Sequence, residues 1–239
     1  KKWFPLESNP DVINAYIAGM GVDVDRHCFV DVLSCEEWAL QMVPRPVLGV
    51  LLLYPVQEDA AAAGAAAAAA AAPATPLVDG AGDRVYYMKQ TVSNACGTVA
   101  VLHAVGNALA VAGVEGGLQL GRGSFLERFY GATKHMTADE LGTYLCEDRA
   151  LETCHAAAAV EGQSEQIEHS ATVDMHFACL SCIDGCLYEL DGRKPSPINH
   201  GECSTSEVLE KACGVVKGFM ARNPDDMRFS ILALAAVPL

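Results

Sequence analysis

The order of apolar and polar residues along the chain predicts both helices and strands. The stretch QTVSNACGTVAVLHAVGNALA, residues 90–110, places apolar side chains three, three and four residues apart, at Val99, Leu102, Val105 and Leu109. This spacing buries one face of a helix. The run VLGVLLLY, residues 47–54, is short, apolar and followed by a proline, which is typical of a buried strand.

Capping and turn residues add further elements. Asn9 can cap a helix over SNPDVINAYIAGMG, which Gly21 would end. MHFACLSCIDGCLYELDG predicts a β-hairpin, because two apolar strands flank Asp184-Gly185, a strong turn signal. Helices are also expected over 124–130, 137–146 and 204–222, and a last strand over 227–236. The sequence therefore predicts a mixed α/β (α+β) fold in one domain, residues 1–239.

Two segments lack a clear pattern. AAAAGAAAAAAAAPATP, residues 60–76, has no side chains that could anchor it to a core, so we expect a low-complexity surface insertion. Residues 147–172 show weak periodicity and many small or polar side chains. A loop of about that length inside a compact domain tends to be functional.

Composition narrows the possible partners. The formal net charge is −14, which argues against nucleic acid and anionic membranes. It would favour a basic protein partner, although the charge taken alone is better explained by plain solubility. The ten cysteines are scattered and several lie in apolar runs, so we expect free thiols in a reducing compartment. KKWFPLESNPDV lacks the apolar core of a signal peptide. These features predict a cytoplasmic protein, with the nucleus as a second compartment.

Cys96 is the first candidate for chemistry. It lies where the predicted helix begins, and the positive end of the helix dipole stabilises a thiolate there. Gly97 beside it leaves room for the backbone of a substrate. A buried structural thiol is the alternative interpretation, because most cysteines are of that kind.

A thiol nucleophile needs a base and a group that orients the base. His176 opens the first strand of the hairpin and Asp191 follows the second, so the two should be neighbours in space. His103 lies about two helical turns from Cys96, too far for a direct hydrogen bond, and is interpreted as a packed core residue. Gln90 lies six residues before Cys96 and could direct an amide N–H at an oxyanion.

A metal site is disfavoured by strand geometry. Cys179, Cys182 and Cys186 form C-x2-C-x3-C, but residues three apart on a strand point to opposite faces. The sequence also lacks a second His/Cys pair at zinc spacing. No metal and no cofactor are expected.

The motifs QTVSNACGTVAVLHA and DMHFACLSCIDGCLYELDGRKPSPINHG resemble the ubiquitin C-terminal hydrolases (peptidase family C12), and the match is closest to their small single-domain members. FPLESNPDV, MVPRPVLGVLLLYP and NPDDMRFSILALAA extend the resemblance over nearly the whole chain. It implies a papain-like cysteine peptidase fold, with an antiparallel-rich sheet flanked by helices and a knotted backbone. It also implies that residues 147–172 form the active-site crossover loop, which restricts substrates to small or unstructured adducts.

The resemblance further implies a role for each candidate residue. Cys96 would be the nucleophile, His176 the general base and acid, and Asp191 the group that orients His176, while Gln90 would hold the oxyanion. The partner would be ubiquitin or the related modifier NEDD8, bound by a monomer. The resemblance places ubiquitin contacts at Leu6, Glu7, Asp11, Asp31, Asp226 and Met227.

The expected activity is therefore thiol-dependent hydrolysis of the bond after the C-terminal glycine of ubiquitin, through a thioester intermediate. Two alternatives stay open. One is a ubiquitin- or NEDD8-binding module in which catalysis is minor. The other is an unrelated redox thiol protein, which would need a resolving cysteine near Cys96.

Overall fold

The structure is a computed structural model that describes residues 1–56, 85–110, 117–162, 174–222 and 224–237. The strands are β1 (His27–Asp31), β2 (Val47–Pro55), β3 (Met175–Ile183), β4 (Cys186–Leu190), β5 (Ile198–Glu202) and β6 (Ser230–Ala236). The helices are α1 (Pro10–Met20), α2 (Glu37–Leu40), α3 (Cys96–Ala110), α4 (Phe125–Thr133), α5 (Ala138–Glu147), α6 (Arg149–Glu161) and α7 (Val208–Arg222).

The strands form one six-stranded sheet in the order β1-β6-β2-β3-β4-β5, and every neighbouring pair is antiparallel. Helix α3 packs on one face of β2 and β3, and α7 packs on the other face. Both faces of the central strands are thus covered, which explains why 47–54 is almost continuously apolar. The predicted mixed α/β fold with an antiparallel sheet flanked by helices is confirmed.

The predicted capping and turn residues have these roles in the structure. The Asn9 side chain accepts a hydrogen bond from the N–H of Asp11 at the start of α1, and Gly21 ends that helix with a φ of 113°. In the hairpin β3–β4 the two turn residues, Asp184 and Gly185, have φ values of 49° and 79°. Positive φ at both central positions is what a type I′ hairpin turn requires.

The distribution of cysteines agrees with the prediction of free thiols, since none of the ten forms a disulfide. Cys179 belongs to the core on the α3 side of the sheet and Cys182 to the core on the α7 side, so the two point to opposite faces, as predicted. Within the described ranges no group of three His, Cys, Asp or Glu residues could hold a metal ion. None of the helices described there is long and apolar enough to cross a membrane.

The prediction of an irregular loop over 147–172 is wrong for its first part, where α6 forms at Arg149–Glu161. The Asp148 side chain caps this helix by accepting from the N–H of Leu151, and the alanines after it favour helix. Residues 163–172, where the rest of the predicted crossover loop lies, are outside the described residues. The same holds for the insertion predicted at 60–76.

Helix α5 packs very closely against residues 89–91, which precede α3. The N–H of Lys89 donates to Ala138 O at 3.0 Å, and the Thr91 hydroxyl donates to Gly142 O at 2.6 Å. A Cβ at Gly142 would lie 2.6 Å from Lys89 O and 2.8 Å from Thr91 Cγ2. Because no real Cβ sits that close to a carbonyl, only glycine permits this contact between α5 and the segment that carries Gln90.

We expect Gly142→Ala to lower the free energy of unfolding by about 1–3 kcal/mol, because the added methyl overpacks the contact with Lys89 and Thr91. Gly131→Ala in α4 is the matched control, since its Cβ would meet nothing within 4 Å. That variant should instead gain about 0.5–1 kcal/mol from helix propensity. Urea unfolding of both variants checks the prediction, which equal effects would contradict.

Candidate active site

Cys96 is the first residue of α3, as the sequence predicted, and only 5% of it is exposed. Burial raises the pKa of its thiol, but a stronger opposing effect comes from the hydrogen bond and charge of the His176 imidazole. The backbone N–H of Phe177 and the charge of Arg193 act in the same direction, so the net pKa is lowered. Cys96 is therefore set up to form a thiolate.

His176 and Asp191 form a buried hydrogen-bonded pair. His176 Nε2 donates to Asp191 Oδ1 at 2.6 Å, and the two residues are 1% and 3% exposed. Burial alone raises the pKa of Asp191, but the hydrogen bond from His176 outweighs it and brings the value to about 2. Burial lowers the pKa of His176, yet Asp191 and Cys96 together raise it. Carboxylate, imidazolium and thiolate thus stabilise one another.

The sheet register explains why this pair forms. Cys179 in β3 is opposite Leu190 in β4, so Asp191 follows directly where β4 ends. The other edge of β3 pairs with β2, where His176 is opposite Tyr54. The predicted proximity of His176 and Asp191 is confirmed. His176 Nδ1 is also buried and takes no part in the bond to Asp191, so it is the ring nitrogen available to the Cys96 thiol.

Other residues fix the Asp191 carboxylate. Oδ1 also accepts from the backbone N–H of Arg193 at 2.9 Å, and Oδ2 accepts from the Tyr54 hydroxyl at 3.3 Å. The Tyr87 hydroxyl donates to the backbone oxygens of Asp191 and Lys194 at 2.8 and 2.6 Å. Sequence reasoning missed both tyrosines, since neither lies in a motif with Asp191 and only the fold brings them there.

Gln90 lies between the Asp191 turn and the start of α3. Its backbone N–H donates to Gly192 O at 2.9 Å, and its side-chain Nε2 donates to Val92 O at 3.1 Å. Oε1 is buried without a partner. A Cβ at Gly192 would come within 3.0 Å of both Gln90 and Val99, so glycine lets the turn after Asp191 close onto Gln90 and α3.

Two side chains of α3 hold the segment that precedes Gln90. His103 Nε2 accepts from the N–H of Met88 at 3.0 Å, which leaves Nδ1 to donate to Leu190 O at 3.2 Å. Asn107 bonds both the N–H and the C=O of Tyr86. Burial lowers the pKa of His103 to about 4, so the ring is neutral. The prediction that His103 is a packed core histidine is confirmed, and it also links α3 to the strand before Asp191.

A second buried histidine, His155, joins α6 to α3. His155 Nε2 donates to Phe4 O at 2.6 Å, and its Nδ1 lies 2.8 Å from the Thr98 hydroxyl, which itself pairs with the Tyr16 hydroxyl at 2.9 Å. Because a carbonyl can only accept, Nε2 carries the proton and Nδ1 accepts from Thr98. Burial lowers the pKa of His155 to about 4.

The two apolar residues expected to contact ubiquitin, Leu6 and Met227, differ in their exposure. Leu6 is buried, and a Cβ at Gly97 would lie 3.0 Å from it. Leu6 therefore packs in the core, and the space above Gly97 is filled by Leu6, which corrects the expectation that Gly97 leaves room for a substrate. Met227, by contrast, is 89% exposed.

The acidic candidates gather at the end of the sheet that carries His176. Asp31 is opposite Leu232 at the end of β1, close to where β6 starts, and burial together with the charge of Asp11 raises the pKa of Asp31. Glu7 accepts from Asn9 Nδ2 at 3.1 Å, at the start of α1. Asp226 is paired with Arg228 at 2.7 Å, just before β6. Asp31, the last residue of β1, and Asp226, just before β6, thus lie at the end of the sheet that carries His176, while Glu7 lies just before α1 and Asp11 is the second residue of α1.

A thiol with a lowered pKa and an imidazole held by a buried carboxylate have the chemistry of a cysteine-dependent hydrolase. The comparisons with known proteins agree with this class. The family model described as ubiquitin carboxyl-terminal hydrolase, family 1, matches residues 3–221, and the chain therefore belongs to that family. It is a thiol-dependent ubiquitin C-terminal hydrolase, which favours the enzyme over the binding-only module and the redox protein.

Similar proteins cover nearly all of the chain. Ubiquitin carboxyl-terminal hydrolase 3 of Arabidopsis thaliana is 40% identical over 98% of this chain and 94% of its own length. Human ubiquitin carboxyl-terminal hydrolase isozyme L1 is 35% identical over 96% of each. The catalytic domain of Trichinella spiralis UCH37, solved with ubiquitin vinyl methyl ester, has the same fold, with a TM-score of 0.75, 19% identity and coverage of 100% of this chain and 97% of its own.

We expect the protein to lose stability between pH 6.5 and pH 4. The unfolded chain protonates His155 near pH 6.5, whereas the folded chain holds its pKa at about 4, so the stabilisation is complete above pH 6.5 and is lost as the pH falls. His155→Gln should reduce the loss over this interval by about 2–3 kcal/mol. Denaturant unfolding at pH 7 and pH 4.5 measures the loss, and an identical loss in both proteins would refute the assignment.

Proposed function

We propose that this ubiquitin C-terminal hydrolase cleaves the bond after the terminal glycine of ubiquitin with Cys96, His176 and Asp191 as its triad. One observation carries the proposal. The 2.6 Å bond between His176 and Asp191 is buried beside a thiol whose pKa is lowered by the same imidazole. Buried charges are costly unless they are paired, and groups with shifted pKa values cluster at functional sites.

In the acylation step the Cys96 thiolate attacks the glycine carbonyl carbon, and the carbonyl electrons move to oxygen. The Cys96 backbone N–H, free at the start of α3, and the Gln90 side-chain amide donate to this oxyanion. His176 then gives its Nδ1 proton to the leaving amine or thiol as the bond to the carbonyl breaks. A thioester between Cys96 and ubiquitin remains, and Asp191 holds the imidazole in place throughout.

In the deacylation step His176 Nδ1 accepts a proton from a water molecule, whose oxygen attacks the thioester carbon. The same oxyanion donors stabilise the second tetrahedral intermediate. Its collapse expels the Cys96 thiolate beside the imidazolium and releases the new carboxyl group of ubiquitin, which loses its remaining proton to the solvent. No redox change or cofactor enters either step, so one acid–base group serves both halves of the reaction.

Charge at the His176 end of the sheet supports ubiquitin as the partner. The carboxylates of Glu7, Asp11, Asp31 and Asp226, the last of which is paired with Arg228, would face the basic C-terminal tail and binding face of ubiquitin. The exposed Met227 would supply an apolar contact. Complementary charge of this kind accelerates association and improves specificity. The related UCH37 of Trichinella spiralis was solved with a ubiquitin vinyl ester. NEDD8, which shares the basic tail, is the second candidate substrate. We further propose that only small or unstructured adducts leave the site.

Cys96→Ala should abolish turnover of a fluorogenic ubiquitin substrate while ubiquitin still binds, because only the attacking sulfur is removed. The variant should also fail to react with ubiquitin bearing a C-terminal vinyl ester. Cys186→Ala, which alters a partly exposed thiol on the hairpin, is the matched control and should retain both activities. Full turnover by Cys96→Ala would disprove the proposed nucleophile.

The acidic end of the sheet predicts a change in KM that depends on salt. The double variant Asp11→Asn and Asp31→Asn should raise the KM for ubiquitin by about 3- to 10-fold at low ionic strength, with kcat nearly unchanged. The effect on KM should shrink in about 0.5 M salt, because salt screens the interactions between exposed charges. Glu202→Gln, at the exposed end of β5, is the control.

Measuring the same kinetics with a NEDD8 substrate tests whether NEDD8 is also a substrate of the enzyme. Comparable kcat/KM values for both modifiers, lowered together by the double variant, would establish that the acidic residues read the shared basic tail. A rate for NEDD8 that is lower by a factor of about 100 or more would restrict the enzyme to ubiquitin. An unchanged KM in the double variant would remove Asp11 and Asp31 from the binding surface.

A further inference from the structure

Tyr54 contacts both members of the His176–Asp191 pair. It is directly opposite His176 in the β2–β3 ladder, and its ring stands edge-on to the imidazole with centroids 5.7 Å apart. Its hydroxyl donates to Asp191 Oδ2 at 3.3 Å. On the far side the ring packs against Phe219 of α7 at 4.6 Å. Tyr54 is thus held by the sheet and α7 while its hydroxyl reaches the carboxylate.

We propose that Tyr54 is a positioning residue for catalysis, whose hydroxyl fixes the orientation of the Asp191 carboxylate and moderates its hold on the imidazolium of His176. This inference rests on the proposed triad. It concerns a residue that neither touches substrate nor exchanges a proton, and whose hydroxyl acts through Asp191.

The hydrogen bonds of Asp191 show why the hydroxyl matters. Oδ1 receives two donors, His176 Nε2 and the N–H of Arg193, whereas Oδ2 receives Tyr54. The carboxylate is 3% exposed, so water cannot readily replace a donor that is lost. A buried acceptor left without a partner is costly, and a carboxylate held through one oxygen can rotate away from the imidazole.

The hydroxyl is present as a donor at all pH values of interest. Burial raises the pKa of Tyr54 well above its ordinary value, and the charges of Asp191 and Glu189 add to that effect. A neutral phenol next to a carboxylate can only donate. The bond therefore withdraws part of the carboxylate charge from Oδ1, where His176 binds.

Removing the hydroxyl should have two separate effects. The freer carboxylate orients His176 less well, which lowers kcat. The same carboxylate, no longer shared, holds the imidazolium proton more strongly, so the basic limb of the pH–rate profile moves to higher pH. The charged and titratable groups facing the pair are unchanged by the substitution: Cys96 on α3, Glu189 on β4, and Arg193 and Lys194 after β4.

A different tyrosine provides a matched control. The Tyr188 hydroxyl lies in β4 of the same sheet and is 3.5 Å from Asn199 Nδ2, away from Asp191. Tyr188→Phe therefore removes a hydroxyl from a buried ring without touching the triad. Tyr87 is unsuitable as a control because its hydroxyl binds the Asp191 backbone.

The test compares the pH dependence of kcat and KM for Tyr54→Phe, Tyr188→Phe and the unsubstituted enzyme with a fluorogenic ubiquitin substrate. For Tyr54→Phe we expect kcat to fall about 3- to 10-fold, the size of one net hydrogen bond. KM should stay within about twofold of the value for the unsubstituted enzyme. The basic limb of the pH–rate profile should move to higher pH by about half a unit or more. Tyr188→Phe should leave kcat, KM and both limbs unchanged.

The outcomes separate this inference from the proposed triad. An unchanged kcat and profile for Tyr54→Phe, with Cys96→Ala inactive, would reject the role of Tyr54 and leave the triad standing. A lower kcat with no movement of the basic limb would reject it too, because it would show a structural effect only. Turnover by Cys96→Ala would reject the triad itself.

Discussion

The buried hydrogen bond between His176 and Asp191 is the interaction on which the rest of the site depends. Two groups that water would normally solvate are enclosed together, so each is stable there only because the other is present. The bond fixes the imidazole through Nε2 and leaves Nδ1 for the proton exchange with Cys96 that we propose. It also couples the ionisation of three residues, so that the thiolate forms at lower pH than an isolated cysteine would allow.

Much of the fold serves to keep that bond and the nucleophile in register. Helix α3 supplies Cys96 at its first turn, and further along it His103 and Asn107 hold the segment that ends in Gln90. His103 also binds the carbonyl of Leu190, next to Asp191. One buried helix therefore fixes Cys96, the segment that leads to Gln90 and the residue before Asp191, which are the positions of the proposed nucleophile, oxyanion donor and orienting carboxylate. A substitution in the middle of α3 would disturb all three at once.

The sequence predicted the parts of the site that depend on local geometry. A helix beginning at Cys96 and a hairpin joining His176 to Asp191 follow from periodicity and from the Asp184-Gly185 turn. Gln90 was a candidate from its position before Cys96, and the family resemblance strengthened that role, whereas the roles of the acidic residues came from the resemblance alone. Their contacts, like those of Tyr54 and Tyr87, join residues that are far apart in the chain.

Local pattern failed where long-range packing decides. The region after Asp148 looked irregular because its alanines and polar residues give almost no amphipathic signal, yet a cap and alanine propensity suffice to form α6. The family resemblance, and not a local pattern, placed Leu6 among the ubiquitin contacts, whereas in the fold Leu6 is buried against Gly97. In both places the partner that determines the structure is distant in sequence.

The order of the strands has a consequence for synthesis. Strand β6, residues 230–236, lies between β1 and β2 and is the neighbour to which β1 is hydrogen-bonded. During synthesis β1 emerges before β2, β3, β4 and β5, yet it is hydrogen-bonded to β6, which emerges after all of them. The end of β1 that carries Asp31 can therefore join the sheet only after β6 has been translated.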